Sequence, residues 1–157
     1  MSVQILLGSI NDREVAASAE KILKELDVPF HTTVASAHRS PARVEEIVKA
    51  SKADVFIAIA GLTNALAGVV GALTTKPVIG VPVSGKLNLD SILSVVQLPP
   101  GMPVAAVGLD RGDNAAHLAA QMIALRDPKL AERLKTYKKK LADKVAEDAK
   151  KLETAAP

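Results

Sequence analysis

Residues 55–68 read VFIAIAGLTNALAG, and this stretch decides the fold class. Six apolar residues without alternation, Val55–Ala60, stop at Gly61, which is typical of a strand buried on both faces of a parallel sheet. Small residues follow at once, with Thr63 or Asn64 as a candidate N-cap, and they favour a helix. A buried strand that leads directly into a helix predicts an α/β protein.

Outward from this stretch, apolar runs alternate with helical patterns. Further strands are predicted at Val3–Leu7, His31–Ala35, Val78–Val81 and Val104–Val107. Helices are predicted at Arg13–Leu26, capped by Asn11 or Asp12, and at Pro41–Ala50, capped by Ser40. With right-handed crossovers, this alternation predicts a five-stranded parallel sheet between two helical layers, either a flavodoxin-like three-layer αβα sandwich or a short Rossmann variant.

Composition restricts the class further. The chain has 157 residues and is 48% hydrophobic, which suits a single domain over residues 1–157. Two Phe, one Tyr and no Trp leave Val, Ile, Leu and Ala to build the core. The absence of Cys excludes disulfides, zinc ribbons and thiol nucleophiles. With no signal peptide or membrane span recognised, we expect a cytoplasmic protein that does not enter a membrane.

The net charge of +3 comes from the C-terminal segment, which carries 9 of the 20 Lys and Arg but only 5 of the 17 Asp and Glu. Nucleic-acid binding normally combines a basic patch with stacking aromatic residues, and this chain lacks the aromatic residues. We therefore expect no nucleic-acid partner.

A C-terminal helix is predicted over residues 128–157, with a fraying end after Leu152. It carries an apolar stripe formed by Leu130, Leu134, Tyr137, Leu141 and Val145. Such a stripe needs a partner surface, either the chain's own sheet or another subunit. Because the earlier helices already cover the sheet, we expect the stripe to dock on a neighbouring subunit.

Ligands of doubly wound sheets bind beyond the carboxyl ends of the strands. The first turn there contains Gly8, Ser9 and Asp12, where glycine permits close backbone approach and a helix N-terminus attracts an anion. Ser9 can donate to a phosphate, and the Asp12 carboxylate can accept ribose hydroxyls. The alternative is that Asn11 and Asp12 only cap the helix.

The second turn places His38 between Ser36 and Arg39, ahead of the helix that begins at Pro41. The neighbouring cation and the helix N-terminus both disfavour a protonated ring, so we expect a neutral imidazole suited to general acid–base catalysis. Ser36 and Arg39 can hold an anion beside it. The alternative is an ordinary exposed histidine. His31 and His117 lie in a strand and a helix pattern, and we interpret both as structural.

The third turn, Gly61–Gly68, lets a flat ligand approach the backbone, although the same small residues also serve helix–strand packing. The sequence contains no zinc-type ligand spacing and no Walker loop. We therefore expect no metal, and ATP use is not expected.

Together the three turns resemble the PurE family. The resemblance extends to Gly80-Val81-Pro82-Val83 and to Val96-Gln97-Leu98-Pro99-Pro100-Gly101, and so covers nearly the whole chain. It implies a flavodoxin-like fold, a homo-octamer, no metal and no organic cofactor. It also implies formation of 4-carboxy-5-aminoimidazole ribonucleotide, either from aminoimidazole ribonucleotide and CO2 by a carboxylase or from the N5-carbamate by a mutase.

The resemblance assigns His38 as the proton-transfer residue, Ser9 and Asp12 to the ribose phosphate, and Ser36 and Arg39 to the phosphate. The remaining implied substrate-binding residues are Gly8, Gly61, Asn64, Ala65 and Leu66.

The subtype is a hybrid. Mutases typically carry a second histidine in the third turn, where this chain has Asn64-Ala65-Leu66-Ala67, so we favour the carboxylase. The carboxylases, however, usually have Lys at the position of Arg39 and Arg at the position of Leu62. Two further alternatives are a non-catalytic nucleotide-binding domain of the same fold and the carboxylation domain of nickel-pincer cofactor synthesis, which normally has an additional N-terminal region.

Overall fold

The computed structural model, which describes residues 1–86 and 88–154, contains one sheet of five parallel strands. The strands are β1 (Val3–Leu7), β2 (Phe30–Val34), β3 (Val55–Ala60), β4 (Val78–Pro82) and β5 (Ala105–Ala106). Their order across the sheet is β2-β1-β3-β4-β5. This is the flavodoxin-like order and not the Rossmann order, so the first of the two predicted topologies is confirmed.

Helices cover both faces of this sheet. They are α1 (Arg13–Glu25), α2 (Pro41–Ala50), α3 (Ala65–Leu73), α4 (Asn88–Val96), α5 (Gly112–Ala124) and α6 (Pro128–Thr154). One buried cluster joins the sheet to α1, α5 and the start of α6, and a second joins it to α2, α3 and α4. The chain therefore has the three layers that the sequence predicts.

Side-chain alternation along β1 and β3 supplies both clusters. Val55, Ile57 and Ile59 of β3 belong to the first cluster, and Phe56 and Ala58 belong to the second. All six residues of β3 are buried. The unbroken apolar run is thus the signature of a central strand that is covered on both faces.

The predicted element bounds are close to the observed ones. β2 begins one residue earlier than predicted, β4 continues to Pro82, and α1 ends at Glu25. β5 is the largest difference, because only two residues, Ala105 and Ala106, pair with β4 in place of the predicted Val104–Val107.

The apolar stripe of α6 divides into two parts. Leu130 is buried, and Leu134 and Tyr137 pack on the first cluster of the same chain. The prediction that the whole stripe docks on a neighbouring subunit is therefore wrong for these three residues. Further along, Leu141 is 50% exposed and Val145 70% exposed, so much of this part of the stripe stays uncovered by its own chain.

The predicted fraying after Leu152 is only partly within the described residues. Glu153 and Thr154 are helical, and residues 155–157 lie outside the described part of the chain. Over the described residues, no helix is both long and apolar enough to span a bilayer.

Candidate functional site

A reciprocal cap between Ser9 and Asp12 builds the first strand-end turn. Ser9 Oγ accepts a hydrogen bond from the Asn11 backbone N–H at 3.3 Å, and the Ser9 backbone N–H donates to Asp12 Oδ2 at 2.9 Å. This capping box starts a short 3-10 helix, Ile10–Asp12, that leads into α1. Asp12 occupies the predicted N-cap position of α1, but its side chain makes no capping bond to that helix, and Ser9 caps the 3-10 helix instead. Both predicted ligand-binding side chains are held at the end of β1.

Asp12 is a buried carboxyl at the edge of the sheet, with 7% of its surface exposed. Burial raises its pKa because the charged form loses hydration, while the Ser9 N–H and the positive charge of Arg39 oppose that rise. The group therefore carries its negative charge against a desolvation penalty. A ligand hydroxyl that donates to this carboxylate would reduce that penalty.

The second turn is organised around the hydroxyl of Ser36. Its Oγ accepts from both the backbone N–H and the Nε–H of Arg39, at 3.2 and 3.3 Å. The Ser36 backbone N–H in turn donates to Ser40 Oγ at 3.0 Å. Ser40 occupies the predicted N-cap position of α2, but its hydroxyl bonds to Ser36 rather than to the helix. Ser40 is thus a supporting residue of the turn.

Arg39 joins the second turn to the first. Its Nη2 donates to the Gly8 carbonyl oxygen at 2.9 Å. Because a guanidinium has five N–H donors, and Gly8 and Ser36 take only two of them, Arg39 keeps donors for a ligand. His38 lies in the same turn with an exposed side chain, so its ring is accessible to a ligand.

The third turn has an unusual backbone. The Asn64 N–H donates to the Gly61 carbonyl at 3.0 Å, and Leu62 and Asn64 hold φ values of 52° and 37°. Both are left-handed conformations, which residues other than glycine rarely adopt. Asn64 stands at the N-cap position of α3, yet its side chain makes no cap. The predicted N-cap position is confirmed, but the capping bond is absent because Asn64 Nδ2 donates instead to the Val81 carbonyl of β4, at 3.1 Å.

The two remaining predicted residues of this turn differ in position. Ala65 is half-buried at the first turn of α3, whereas Leu66 is 2% exposed and belongs to the second core cluster. The Leu66 side chain is therefore a packing group, and only its backbone can reach a ligand.

The central strands bring the first and third turns into contact. The Gly8 N–H donates to the Ile59 carbonyl at 2.9 Å, and a Cβ added at Gly8 would lie only 3.0 Å from the Ala60 Cβ. A side chain at position 8 would push these turns apart. This contact explains the need for glycine where β1 ends.

Two further polar residues, Ser84 and Asp110, follow the carboxyl ends of β4 and β5 and were not predicted as site residues from the sequence. The Ser84 N–H donates to Asp110 Oδ1 at 2.8 Å, and Asp110 itself has a left-handed φ of 60°. Together with Asn11 and Glu14 they line a cavity of about 340 Å³. The sequence offered one indication, which is that Asp110 follows the last predicted strand closely. Because β5 pairs over only two residues, its end could not be located from the sequence pattern.

The described residues contain no group of three or more His, Cys, Asp or Glu side chains arranged to hold a metal ion. The polar groups of the three turns are instead hydroxyls, two amides, one carboxylate, one imidazole and one guanidinium. Such groups suit recognition of a small polar ligand by hydrogen bonds and charge.

The fold is that of a doubly wound α/β protein. Its candidate site lies at the carboxyl ends of the strands, at the topological switch point between β1 and β3. The profile of the family described as "AIRC: AIR carboxylase" matches residues 2–144. The chain belongs to this family, and it is an enzyme.

Named relatives agree with the family assignment. The chain is 59% identical over 142 residues to the N5-carboxyaminoimidazole ribonucleotide mutase of Methanocaldococcus jannaschii, covering 90% of each chain. It is 40% identical to the phosphoribosylaminoimidazole carboxylase of Saccharomyces cerevisiae, covering 97% of this chain and 28% of that protein. A crystal structure of Treponema denticola PurE superposes with a TM-score of 0.87 at 32% identity, covering 96% of this chain and 97% of the other.

Proposed function

We propose that this enzyme forms 4-carboxy-5-aminoimidazole ribonucleotide for purine biosynthesis by attaching a carboxyl group to C4 of the aminoimidazole ring. The observation that carries the proposal is the convergence of three strand-end turns, because Arg39 bonds to Gly8 and Gly8 bonds to the end of β3. The names of the relatives support the same product, because mutase and carboxylase both make it.

The polar groups divide naturally between the parts of such a substrate. Arg39 and Ser36 supply a cation and a hydroxyl for the phosphate, and Ser9 adds a further hydroxyl. Asp12 accepts ribose hydroxyls through the oxygen that the Ser9 N–H does not occupy. The flat ring then lies against the small residues of the third turn, where Gly61 and Ala65 leave the backbone accessible.

His38 handles the proton in this proposal. The electron-rich C4 attacks the carbon of CO2, and a new C–C bond forms while one C–O π bond becomes the carboxylate. The C4 proton then passes to the ring of His38, which restores aromaticity. No oxidant or reductant is needed, because the electron pair of the C–H bond stays in the ring.

Direct carboxylation is the first candidate for the carboxyl source, because the third turn contains Asn64, Ala65 and Leu66 and no second histidine. The mutase is the second candidate, and the 59% identity with a protein of that name favours it. In the mutase reaction the N–C bond of the carbamate breaks first, and the released CO2 then undergoes the same C–C step.

We further propose that the enzyme works in the cytoplasm as a homo-octamer whose neighbouring subunits close the site. His38 and Arg39 are exposed in the single chain, and an open surface would lose CO2 to solvent. Apolar surface is available for contacts between subunits. Leu89, Leu93 and Val96 form an exposed stripe along α4, in addition to Leu141 and Val145 of α6.

Product analysis with labelled carbon tests the function and the carboxyl source together. Purified enzyme receives aminoimidazole ribonucleotide with ¹³C-bicarbonate, or freshly prepared carbamate with ¹³C-bicarbonate, and the product is analysed by mass spectrometry. A carboxylase makes labelled product from the first mixture, whereas a mutase makes largely unlabelled product rapidly from the second. Tight binding of the ribonucleotide with no product from either mixture would contradict the proposal and indicate a non-catalytic nucleotide-binding domain.

A further inference from the structure

The side-chain oxygen of Asn64 is a buried, unused acceptor in the third turn. Asn64 is 1% exposed, and its Oδ1 is the one buried side-chain polar atom without a hydrogen-bond partner among residues 1–86 and 88–154. A carbonyl such as that of Val81 can only accept, so the amide must present its NH2 group there and its oxygen elsewhere. The Val81 carbonyl therefore establishes that the amide atom without a partner is the oxygen and not the nitrogen.

An unpartnered buried acceptor is unfavourable for folding, and the turn around it is strained as well. Leu62 and Asn64 both have positive φ values. Unsatisfied polar groups and left-handed residues that occur together are typical of positions where function, and not stability, determines the structure. Because this turn follows β3 at the switch point of the sheet, the function concerned is that of the site described above.

We propose that Asn64 Oδ1 accepts a hydrogen bond from the exocyclic 5-amino group of the aminoimidazole ring, and so makes Asn64 a specificity-determining residue. This inference rests on the proposed function. A carboxyl group or CO2 offers only acceptors to an amide oxygen, and the ribose hydroxyls belong to the first turn with Asp12. The amino group is the remaining donor, and in the carbamate the same nitrogen keeps one N–H.

The covered position of Oδ1 defines how the contact forms. The donor reaches it when the Gly61–Asn64 turn shifts outward, while the bond from Nδ2 to Val81 keeps the side chain attached to β4. A ligand without the amino group leaves the oxygen unpaired. Sites built around a buried hydrogen-bonding group discriminate strongly against such ligands.

A two-by-two binding experiment isolates this contact. Calorimetric titrations compare 5-aminoimidazole ribonucleotide with imidazole ribonucleotide, which lacks the amino group, on the wild-type enzyme and on Asn64→Gly. Glycine accepts the positive φ of position 64 and removes the amide. We expect wild type to prefer the amino ligand by roughly 5- to 100-fold, and Asn64→Gly to bind the two ligands within about threefold.

Leu62→Gly is the matched control, since it relaxes a second left-handed residue of the turn without removing a buried polar group. It should keep the wild-type preference. An undiminished preference in Asn64→Gly would overturn the assignment, as would equal affinities for the two ligands in the wild-type enzyme, which tests the contact without any mutation. Binding of neither ligand to wild type would overturn the proposed function together with this inference.

Discussion

The guanidinium of Arg39 lies 2.9 Å from the backbone carbonyl of Gly8 and ties the end of β2 to the end of β1. A second bond runs from the same side chain to the Ser36 hydroxyl. Arg39 is therefore held from two sides before any ligand arrives. This preorganisation reduces the conformational entropy that ligand binding would otherwise remove.

Arg39→Lys tests this arrangement. A lysine ammonium lacks the planar fork of the guanidinium, so it cannot contact Gly8, Ser36 and a phosphate in the same geometry. We expect affinity for the ribonucleotide to fall about 10- to 100-fold, while affinity for the free aminoimidazole base changes little. Calorimetry with both ligands measures the two affinities. Ser9→Ala should likewise weaken binding of the ribonucleotide and leave binding of the free base nearly unchanged. Equal losses for base and ribonucleotide would place Arg39 outside the phosphate site.

His38→Asn tests the proton-transfer role. Asparagine retains a polar side chain of similar reach but cannot shuttle a proton at neutral pH. Turnover should fall roughly 10²–10⁴-fold while ribonucleotide affinity stays within a few-fold of wild type. Steady-state kinetics and titration of the same preparation provide the comparison. Near-normal turnover would remove His38 from the chemistry.

Asp12→Asn should raise the stability of the fold while weakening ligand binding. Because burial raises the pKa of Asp12 in the folded chain, the group favours folding at pH values below its unfolded pKa and loses that contribution as pH rises through the folded value. Asparagine never ionises. The variant should therefore gain stability relative to wild type at pH 7 but not near pH 3.5, and it should bind the ribonucleotide more weakly at pH 7.

Chemical denaturation at the two pH values measures this difference. The same stability difference at both pH values would contradict the role assigned to the buried charge.

His117 makes the attachment of α6 sensitive to acid. Its ring packs 4.5 Å from that of Tyr137, and burial lowers its pKa, although Asp113 and Glu25 oppose the shift. A lowered folded-state pKa gives stability that is present above about pH 6.5 and is lost as pH falls. Wild type should thus lose stability between pH 7 and pH 5, and His117→Phe should lose less. Urea titrations of both proteins at pH 7 and pH 5 measure this loss of stability. An identical loss in both proteins would contradict the role assigned to His117.

Removing residues 141–157 tests the assembly without disturbing the core of the chain. Leu130, Leu134 and Tyr137 remain, and so does the bond from Arg133 Nε to the Leu26 carbonyl at 2.8 Å. The truncated chain should stay folded but form smaller oligomers by light scattering. Truncation after Arg126 would also remove the buried Leu130, so it is expected to destabilise the fold itself. Unchanged oligomers after the shorter truncation would exclude the exposed part of α6 from the interface.

The sequence was sufficient to predict elements that depend on local pattern. β3 is unambiguous because six apolar residues end at Gly61, and its observed bounds match the prediction. The side-chain contacts of the turns were not predictable in the same way. Asn64 has the ordinary preferences of an N-cap, and only the proximity of Val81, seventeen positions later, diverts its amide. The same holds for Ser40, which supports Ser36 and does not cap α2.

The strand order has a consequence for how the chain folds. β2 pairs with β1, and each later strand then adds beside one that is already present: β3 next to β1, β4 next to β3, and β5 next to β4. No strand has to insert between two partners that have already paired. The sheet can therefore grow in the order of synthesis, so that a nascent chain ending near Ala60 already contains β1 and both of the strands that pair with it.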